Sequence, residues 1–514
     1  MKKILLVPLD ERPCCFEFQE QMAKDTDIRI IKPPRSLLPD KKKFADPEKL
    51  FAWMEENADG CDGAIVAIDA LVYSGMLPSR IHDFPLPLLK ERVLRLRKFK
   101  SEHPALPIFA YNLVMRNPRY SSSEQEPDYY EQWGREIHRF GFIGHKKELG
   151  IASEEECAEY DGIVSRLPQE YLADYLSRRE KNIEIDKLSV DLTAQGVIDF
   201  LIVPQDDSSP YGFTAKDQQI IRRHIREKKV QLRAYMYPDS DGVQGTLLAR
   251  MANMLAQKRP LVYVKYASAA GDTVVPRYED RMVSETVKYQ ILAAGGLIAS
   301  SVSEADLIVM INTPSGNPLE HLTTEPLPAR IEYDANRNQI EQVEYAAYAI
   351  DTLKKPVCFA DVAYANGGDP ELYALLREKG LLWKIAGYSG WNTSSNTMGI
   401  AIPCAMLYLL YGDRQGHTDF LAARYVEDIG YMTAVRRDVC QNELPKRGLN
   451  YFTVDGEHGE VAKIIRQKLQ EFADASISDD THRVVIDEVW MPWTRIFNNG
   501  IHVHTEPGMG KATE

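Results

Sequence analysis

Short apolar runs that stop at a polar turn, each followed by a stretch of helical periodicity, recur along most of this chain. Runs of this kind occupy 4–9, 28–31, 64–68, 108–113, 200–203, 232–237, 261–266, 307–311, 357–360 and 384–387. Between them the apolar spacing changes to that of amphipathic helices, at 47–57, 86–99, 130–140, 214–227, 280–294, 340–353, 370–379 and 397–411. A continuous apolar run bounded by turn residues suits a strand buried on both faces, and its alternation with helices builds a mostly parallel sheet. The expected class is therefore α/β. No internal repeat or low-complexity tract interrupts the pattern.

The ends of these runs share a chemistry. They read Asp10-Glu11-Arg12-Pro13, Asp69 with Tyr73-Ser74-Gly75, Asn112 with Arg116-Asn117, and Asp206-Asp207. Further on come Tyr237-Pro238-Asp239-Ser240-Asp241-Gly242, Lys265, Asn312, Asp361 with Asn366-Gly367-Gly368, and Ser389-Gly390-Trp391-Asn392. On a (β/α)8-type barrel the loops after the strands would gather these residues at one mouth, where barrel enzymes carry their sites. The expectation is such a barrel with insertions over residues 1–412, including a charged helical insertion at about 120–195. A helical C-terminal extension would follow over 413–514, its last residues, 506–514, fraying. More than eight strands are on offer, so a second accounting gives two separate α/β layers meeting near 250–260.

Composition narrows the partners. The formal net charge is −13, which disfavours nucleic acid and anionic membrane surfaces. Lys2-Lys3 precedes only six apolar residues before Asp10, too short for a secretory core, so this segment reads as a first strand. No apolar run approaches the ~20 residues of a membrane span. The seven cysteines are an odd number without metal-ligand spacing, as expected of reduced thiols in a cytoplasmic protein.

The sharpest candidate site is Gln205-Asp206-Asp207-Ser208-Ser209-Pro210. Neighbours in a strand point to opposite faces, so two adjacent aspartates can share a pocket only where the strand has ended. Two carboxyls in one desolvated site cannot both ionise freely, which provides a proton donor and an anion together. That suits glycoside hydrolysis in which the 2-acetamido group of the substrate is the nucleophile. The same residues also suit a helix cap or a divalent-metal ligand set. Trp391 and Asn392 suit stacking and hydrogen bonding to a sugar, or packing and capping, with Asn396 a plausible cap of the helix that follows. Asp10, Arg12, Asp69, Asn112, Tyr237, Asp239, Asp361 and Asn366 complete the expected substrate-binding set. Arg12 beside two acids suits an internal ion pair slightly better than substrate binding, and Asp369 before Pro370 suits an N-cap.

Asp206-Asp207 after an apolar strand resembles the paired aspartates of O-GlcNAcase-type and related substrate-assisted β-N-acetylhexosaminidases. That resemblance implies that Asp206 orients the acetamido group and Asp207 is the acid/base. Separately, Leu9-Asp10-Glu11-Arg12-Pro13, the segment from Asp361 to Asp369, and Gly387 to Thr393 carry a resemblance to a bacterial domain family of unknown function over most of the chain. It implies no activity. The expected function is thus a retaining glycosidase for β-linked N-acetylglucosamine or N-acetylgalactosamine. It would act on a carbohydrate substrate with no cofactor, metal, nucleic acid or membrane, and a homo-oligomer is left open. A non-catalytic carbohydrate-binding or sensing protein is the alternative. A metal-dependent hydrolase or deacetylase using Asp206, Asp207, Asp239 and Asp241 is another.

Overall fold

The computed structural model describes residues 1–329 and 331–508. The chain is a mixed α/β protein with parallel sheets, in two compact units. One unit comprises Met1–Glu11, Arg29–Val243 and Tyr278–Asp280, and the other comprises Arg12–Ile28, Gln244–Arg277 and Arg281–Glu514.

Six strands make the sheet of the first unit: β1 (Lys2–Val7), β2 (Ile28–Ile31), β3 (Gly63–Ala67), β4 (Ile108–Tyr111), β5 (Phe200–Ile202) and β6 (Ala234–Tyr235). Their order is β2-β1-β3-β4-β5-β6, and β1–β3, β3–β4, β4–β5 and β5–β6 are all parallel pairs. Every residue of β3, β4 and β5 is buried. Strands without an exposed face have helices on both sides, which is why these segments are continuously apolar rather than alternating. The crossover helices include Pro47–Asn57, Leu86–Glu102 and Phe213–Glu227. Asp46 starts the first of them, accepting the Glu48 amide at 3.0 Å, with Pro47 in the position where a missing N–H costs nothing.

Between β4 and β5 the charged segment folds as three helices, Tyr130–Glu148, Glu154–Arg166 and Gln169–Ala194. Ser153 and Glu156 form a reciprocal capping box at the start of the second. The segment buries an apolar cluster of its own around Tyr130, Ile137, Ile163, Leu167 and Tyr175. The third helix also turns buried polar side chains, among them Arg179, Asn182 and Ser189, toward the loops that follow the strands.

In the second unit β7 (Leu261–Tyr266), β8 (Leu297–Ile298), β9 (Leu307–Asn312), β11 (Val357–Asp361) and β13 (Gly387–Ser389) form a five-stranded sheet in the order β13-β11-β9-β7-β8. These pairs are parallel as well. A two-residue parallel pair joins β10 (Leu319–Glu320) to β12 (Tyr364–Ala365). Val309, Ile311, Cys358 and Ala360 pack against Met398, Ile402 and Ala405 of the helix Ser394–Tyr411.

Beyond residue 412, helices share the chain with an antiparallel pair, β14 (His482–Trp490) and β15 (Gly500–Pro507). Val484 and Ile486 are buried while Arg483 and Asp487 are exposed, the period-two signature of a half-buried strand. Residues 509–514, most of the tail expected to fray, lie outside the described residues. All seven cysteines are free thiols.

Candidate active site

Gln205 ends β5 by making parallel bridges to both Val114 and Pro238, so the loops after β4, β5 and β6 run side by side beyond the sheet. The next two residues have no ladder to follow. Asp207 takes a left-handed backbone conformation (φ 43°), which aspartate tolerates better than most residues. This turn lets two adjacent side chains reach a common set of partners.

Those partners are two buried arginines. Arg80, from the short helix Met76–Ile81, donates from Nη2 to Asp206 Oδ2 at 2.6 Å. Arg116, from the loop after β4, donates from Nη1 to Asp207 Oδ2 at 2.8 Å. Both also hold Glu126 Oε1, Arg116 Nε at 2.7 Å and Arg80 Nη1 at 3.4 Å. Both reach Gln125 Oε1, at 3.2 Å from Arg80 and 3.1 Å from Arg116. Sharing one carboxylate and one amide oxygen forces the two guanidinium groups together, and hence the two aspartates. The Ser240 hydroxyl stands 3.5 Å from the other oxygen of Asp206. Glu126 is fully buried, whereas the Asp206 and Asp207 side chains keep 15 % and 22 % of their surface exposed. The pair is thus the part of the cluster that a ligand can touch.

With every group ionised, three carboxylates face two guanidinium groups. Burial and then the neighbouring Asp206 charge push the Asp207 carboxyl up to about 6, with Arg116 and Arg80 opposing the rise. Asp207 is therefore the carboxyl raised to take up a proton as the pH falls toward about 6.

The long helix Gln169–Ala194 fixes the Arg116 loop. Arg179 donates to the carbonyls of Arg116 and Met115 at 2.9 and 2.8 Å and is itself paired with Asp217. The Tyr175 hydroxyl donates to the Arg116 carbonyl at 2.9 Å. Asn117 donates to the hydroxyls of Tyr130 and Tyr175, both at 3.1 Å. Every group in this scaffold is buried, so its hydrogen bonds are ones the fold cannot leave unmade.

The other expected site residues divide between the two units. In the first, Asp10 follows β1 and is buried. Asp69 follows β3, and its Oδ2 accepts the Leu113 amide at 2.9 Å and the Asn112 side-chain amide at 3.3 Å. Burial pushes its carboxyl up to about 7, with those donors and Arg80 opposing. Asn112 receives a bond from Ser189 as well, so it ties strand ends to the long helix. Tyr237 is a wholly buried side chain, and Asp239 closes its own turn by accepting the amides of Ser240 and Gly242 at 2.7 and 3.0 Å.

In the second unit Arg12 precedes the helix Pro13–Phe16 and lies 4.8 Å from the centre of the Trp493 ring. Asp361 ends β11 and accepts from Asn312 (2.9 Å), the Asp369 amide (2.6 Å) and the Tyr388 hydroxyl (2.9 Å). Burial first, and then Asp369, push it up to about 7. Asp369 caps the helix Pro370–Glu378 and pairs with Arg337 at 2.7 Å. Asn366 and Asn392 both adopt left-handed backbone, and the Asn366 amide donates to the Asn392 carbonyl at 2.7 Å.

Trp391 presents no ring face to a ligand. It is 1 % exposed, edge-on to Phe18, and its indole N–H is held by Glu427 at 3.0 Å. A sugar platform needs an open face, so here this tryptophan is a packing residue. Glu427 and the adjacent Asp428 are paired with the buried Arg424 in a stretch of π-helix, Tyr425–Val435. The cap of Ser394–Tyr411 is Thr393, whose hydroxyl accepts the Asn396 amide; Asn396 itself lies inside the helix.

Sequence reasoning missed Arg80, Glu126 and Arg179. Arg80 stands in a six-residue helix with no motif, and Glu126 in what reads as an insertion. Arg116 is visible only as one of many polar residues after a strand.

Fold and site together define an α/β protein with parallel sheets that presents, beyond the carboxyl ends of β4 to β6, an aspartate pair held by two buried arginines. The chain belongs to the family described as protein of unknown function (DUF4127), whose model matches residues 4–502. No curated protein matches it. Among the described residues, no helix is long and apolar enough to cross a membrane.

Proposed function

We propose that the first unit is a retaining glycoside hydrolase for β-linked 2-acetamido sugars, working by substrate-assisted catalysis at Asp206 and Asp207. The observation that carries this reading is the unequal environment of two adjacent carboxyls, one held by Arg80 and the other pushed up to about 6 beside Arg116. A general acid works best with a pKa near the operating pH. Arg116 occupies one oxygen of Asp207 and leaves the other for the proton.

Asp207 donates that proton to the glycosidic oxygen as the acetamido oxygen attacks the anomeric carbon. The C–O bond to the leaving alcohol breaks and an oxazolinium ion forms. Asp206 accepts a hydrogen bond from the acetamido N–H and so strengthens the nucleophile. Water then attacks the anomeric carbon, the Asp207 carboxylate takes its proton, and the configuration is retained. Arg116 stabilises Asp207 when it becomes an anion between the two steps. The scheme needs only the carboxyl ends of parallel strands. A (β/α)8 barrel would place the same residues at its mouth, but the proposal does not depend on one.

The test is turnover of 4-nitrophenyl β-N-acetylglucosaminide and β-N-acetylgalactosaminide in EDTA, with Asp206→Asn and Asp207→Asn alongside. Turnover by the wild type and loss in both variants is the expected result. On a leaving group too good to need an acid, azide should restore the Asp207→Asn variant. Turnover that EDTA abolishes would replace this reading with a metal-dependent one. Sugar binding without turnover would replace it with a binding protein.

A further inference from the structure

Next to the aspartate pair, still within the first unit, is a cavity of about 330 Å³ lined by Arg119, Arg135, Arg139, His138, Ser209 and Tyr211 together with Phe142 and Pro210. It is built from the same two loops as the acid pair. Arg119 is three residues beyond Arg116, and Ser209 is two beyond Asp207. The long first helix of the inserted segment, Tyr130–Glu148, supplies the remaining wall.

Of the three arginines at this cavity, Arg139 alone has an ion-pair partner among the described residues. Arg139 is committed to Glu159 through two hydrogen bonds. Neither Arg119 nor Arg135 makes an ion pair or a side-chain hydrogen bond among the described residues, so both guanidinium groups retain their donors. Buried at the same wall, Ser209 is 7 % exposed, and its hydroxyl has no hydrogen-bond partner among the described residues. A buried hydroxyl without a partner carries a desolvation cost that a ligand would remove. His138 has its Nδ1 bound to the Asn117 carbonyl at 2.9 Å and its ring stacked against Phe142, which fixes the imidazole in the wall. Two solvent-exposed guanidinium groups without an ion pair, beside a buried hydroxyl, fit an oxyanion, which offers several acceptors to planar donors.

We propose that this cavity is an anion subsite that receives a sulfate, phosphate or carboxylate group carried by the substrate, close to the bond that Asp207 protonates. Anion binding stands on the cavity itself, whereas its place in a substrate rests on the glycosidase reading above. The favoured substrate is then an acidic glycan rather than a neutral one. Arg119 and Arg135 are specificity residues, and Asp206 and Asp207 do not depend on them for their own partners.

The experiment uses the full chain and titrates inorganic sulfate, inorganic phosphate and glucuronate by calorimetry at constant ionic strength. The Arg119→Gln/Arg135→Gln double variant and Ser209→Ala are titrated in parallel. The expected result is saturable binding of at least one of the three, weakened at least about tenfold in the double variant and less in Ser209→Ala. Which probe binds tells a tetrahedral ester from a uronate. In the second arm, sulfated and unsulfated chromogenic 2-acetamido sugars are compared, and the double variant should raise KM for the sulfated one alone and leave kcat unchanged. No saturable binding, or equal binding by wild type and double variant, overturns the subsite even if both sugars are turned over. Arginine-dependent binding with no turnover of any sugar keeps the subsite and sinks the glycosidase.

Discussion

Replacing Glu126 by glutamine tests the electrostatics of the site with one charge and almost no change in volume. Glu126 Oε1 lies 2.7 Å from Arg116 Nε, and Asp207 Oδ2 lies 2.8 Å from Nη1 of the same guanidinium. The two carboxylates therefore flank one planar group at roughly 5–6 Å, which at an effective dielectric of about 20 is a repulsion of at most about 3 kcal/mol before the guanidinium between them is counted. Glu126 is one of the charges that raise Asp207, so removing it favours the ionised form. Asp207 should fall below about 6 but stay above the ordinary carboxylate value, because burial and Asp206, the larger causes of its rise, remain. A fall of about one unit cuts its protonated fraction at pH 7 about tenfold, and acid-dependent turnover with it, whereas at pH 4 the loss is slight. The direct measurement is the carboxyl titration by 13C NMR of aspartate-labelled protein, with Asp207→Asn identifying the resonance. The alkaline limb of kcat/KM is the functional counterpart, and a thermal melt confirms that the variant folds. An Asp207 that titrates in the variant where it does in the wild type, or higher, would refute the coupling through Arg116.

Asp69→Asn should change how stability depends on pH. Its folded pKa is about 7 against an ordinary value of 3.8, so the folded protein holds this proton more tightly than the unfolded chain. The cost of ionising it is absent below about pH 4, grows up to about pH 7 and is then constant at about 4 kcal/mol. Urea midpoints at pH 5 and pH 8 should favour the variant more at pH 8, and an unchanged difference would contradict the assignment. Trp391→Phe should lower the melting temperature by leaving buried Glu427 without its indole donor, a loss of about 1–3 kcal/mol, while KM for sugars stays the same. A change in KM at constant melting temperature would return Trp391 to the binding site. Gly390→Ala should destabilise by about 1–3 kcal/mol or more, because the new methyl would stand 2.5 Å from the Gly368 Cα, and a melt as high as the wild type would show that this backbone can yield.

What was legible in the chain follows the range of the forces involved. The run at 108–113 became β4, and that at 200–203 became β5, because burial on both faces demands a continuous apolar stretch that shows locally. Asp369 announces its cap through Pro370 in the same local way. The two-residue strands β8, β10 and β12 were not legible, since two residues have no period. β14 was missed because its alternation is broken by a register shift between Ile486 and Glu488.

The amino-acid sequence by itself determined that parallel strands would end in acidic turns, and that Asp206 and Asp207 would stand together past the end of one of them. Only the tertiary structure decided what those aspartates face. Arg80 is 126 residues from Asp206 and Arg116 is 91 from Asp207, and no local pattern marks either as a partner. Tertiary packing likewise buried Trp391 against Phe18 and left Arg119 and Arg135 without an ion pair among the described residues. The physical reason is that backbone preference and side-chain periodicity act over a few residues, whereas desolvation and charge pairing depend on which distant segments the fold brings into contact.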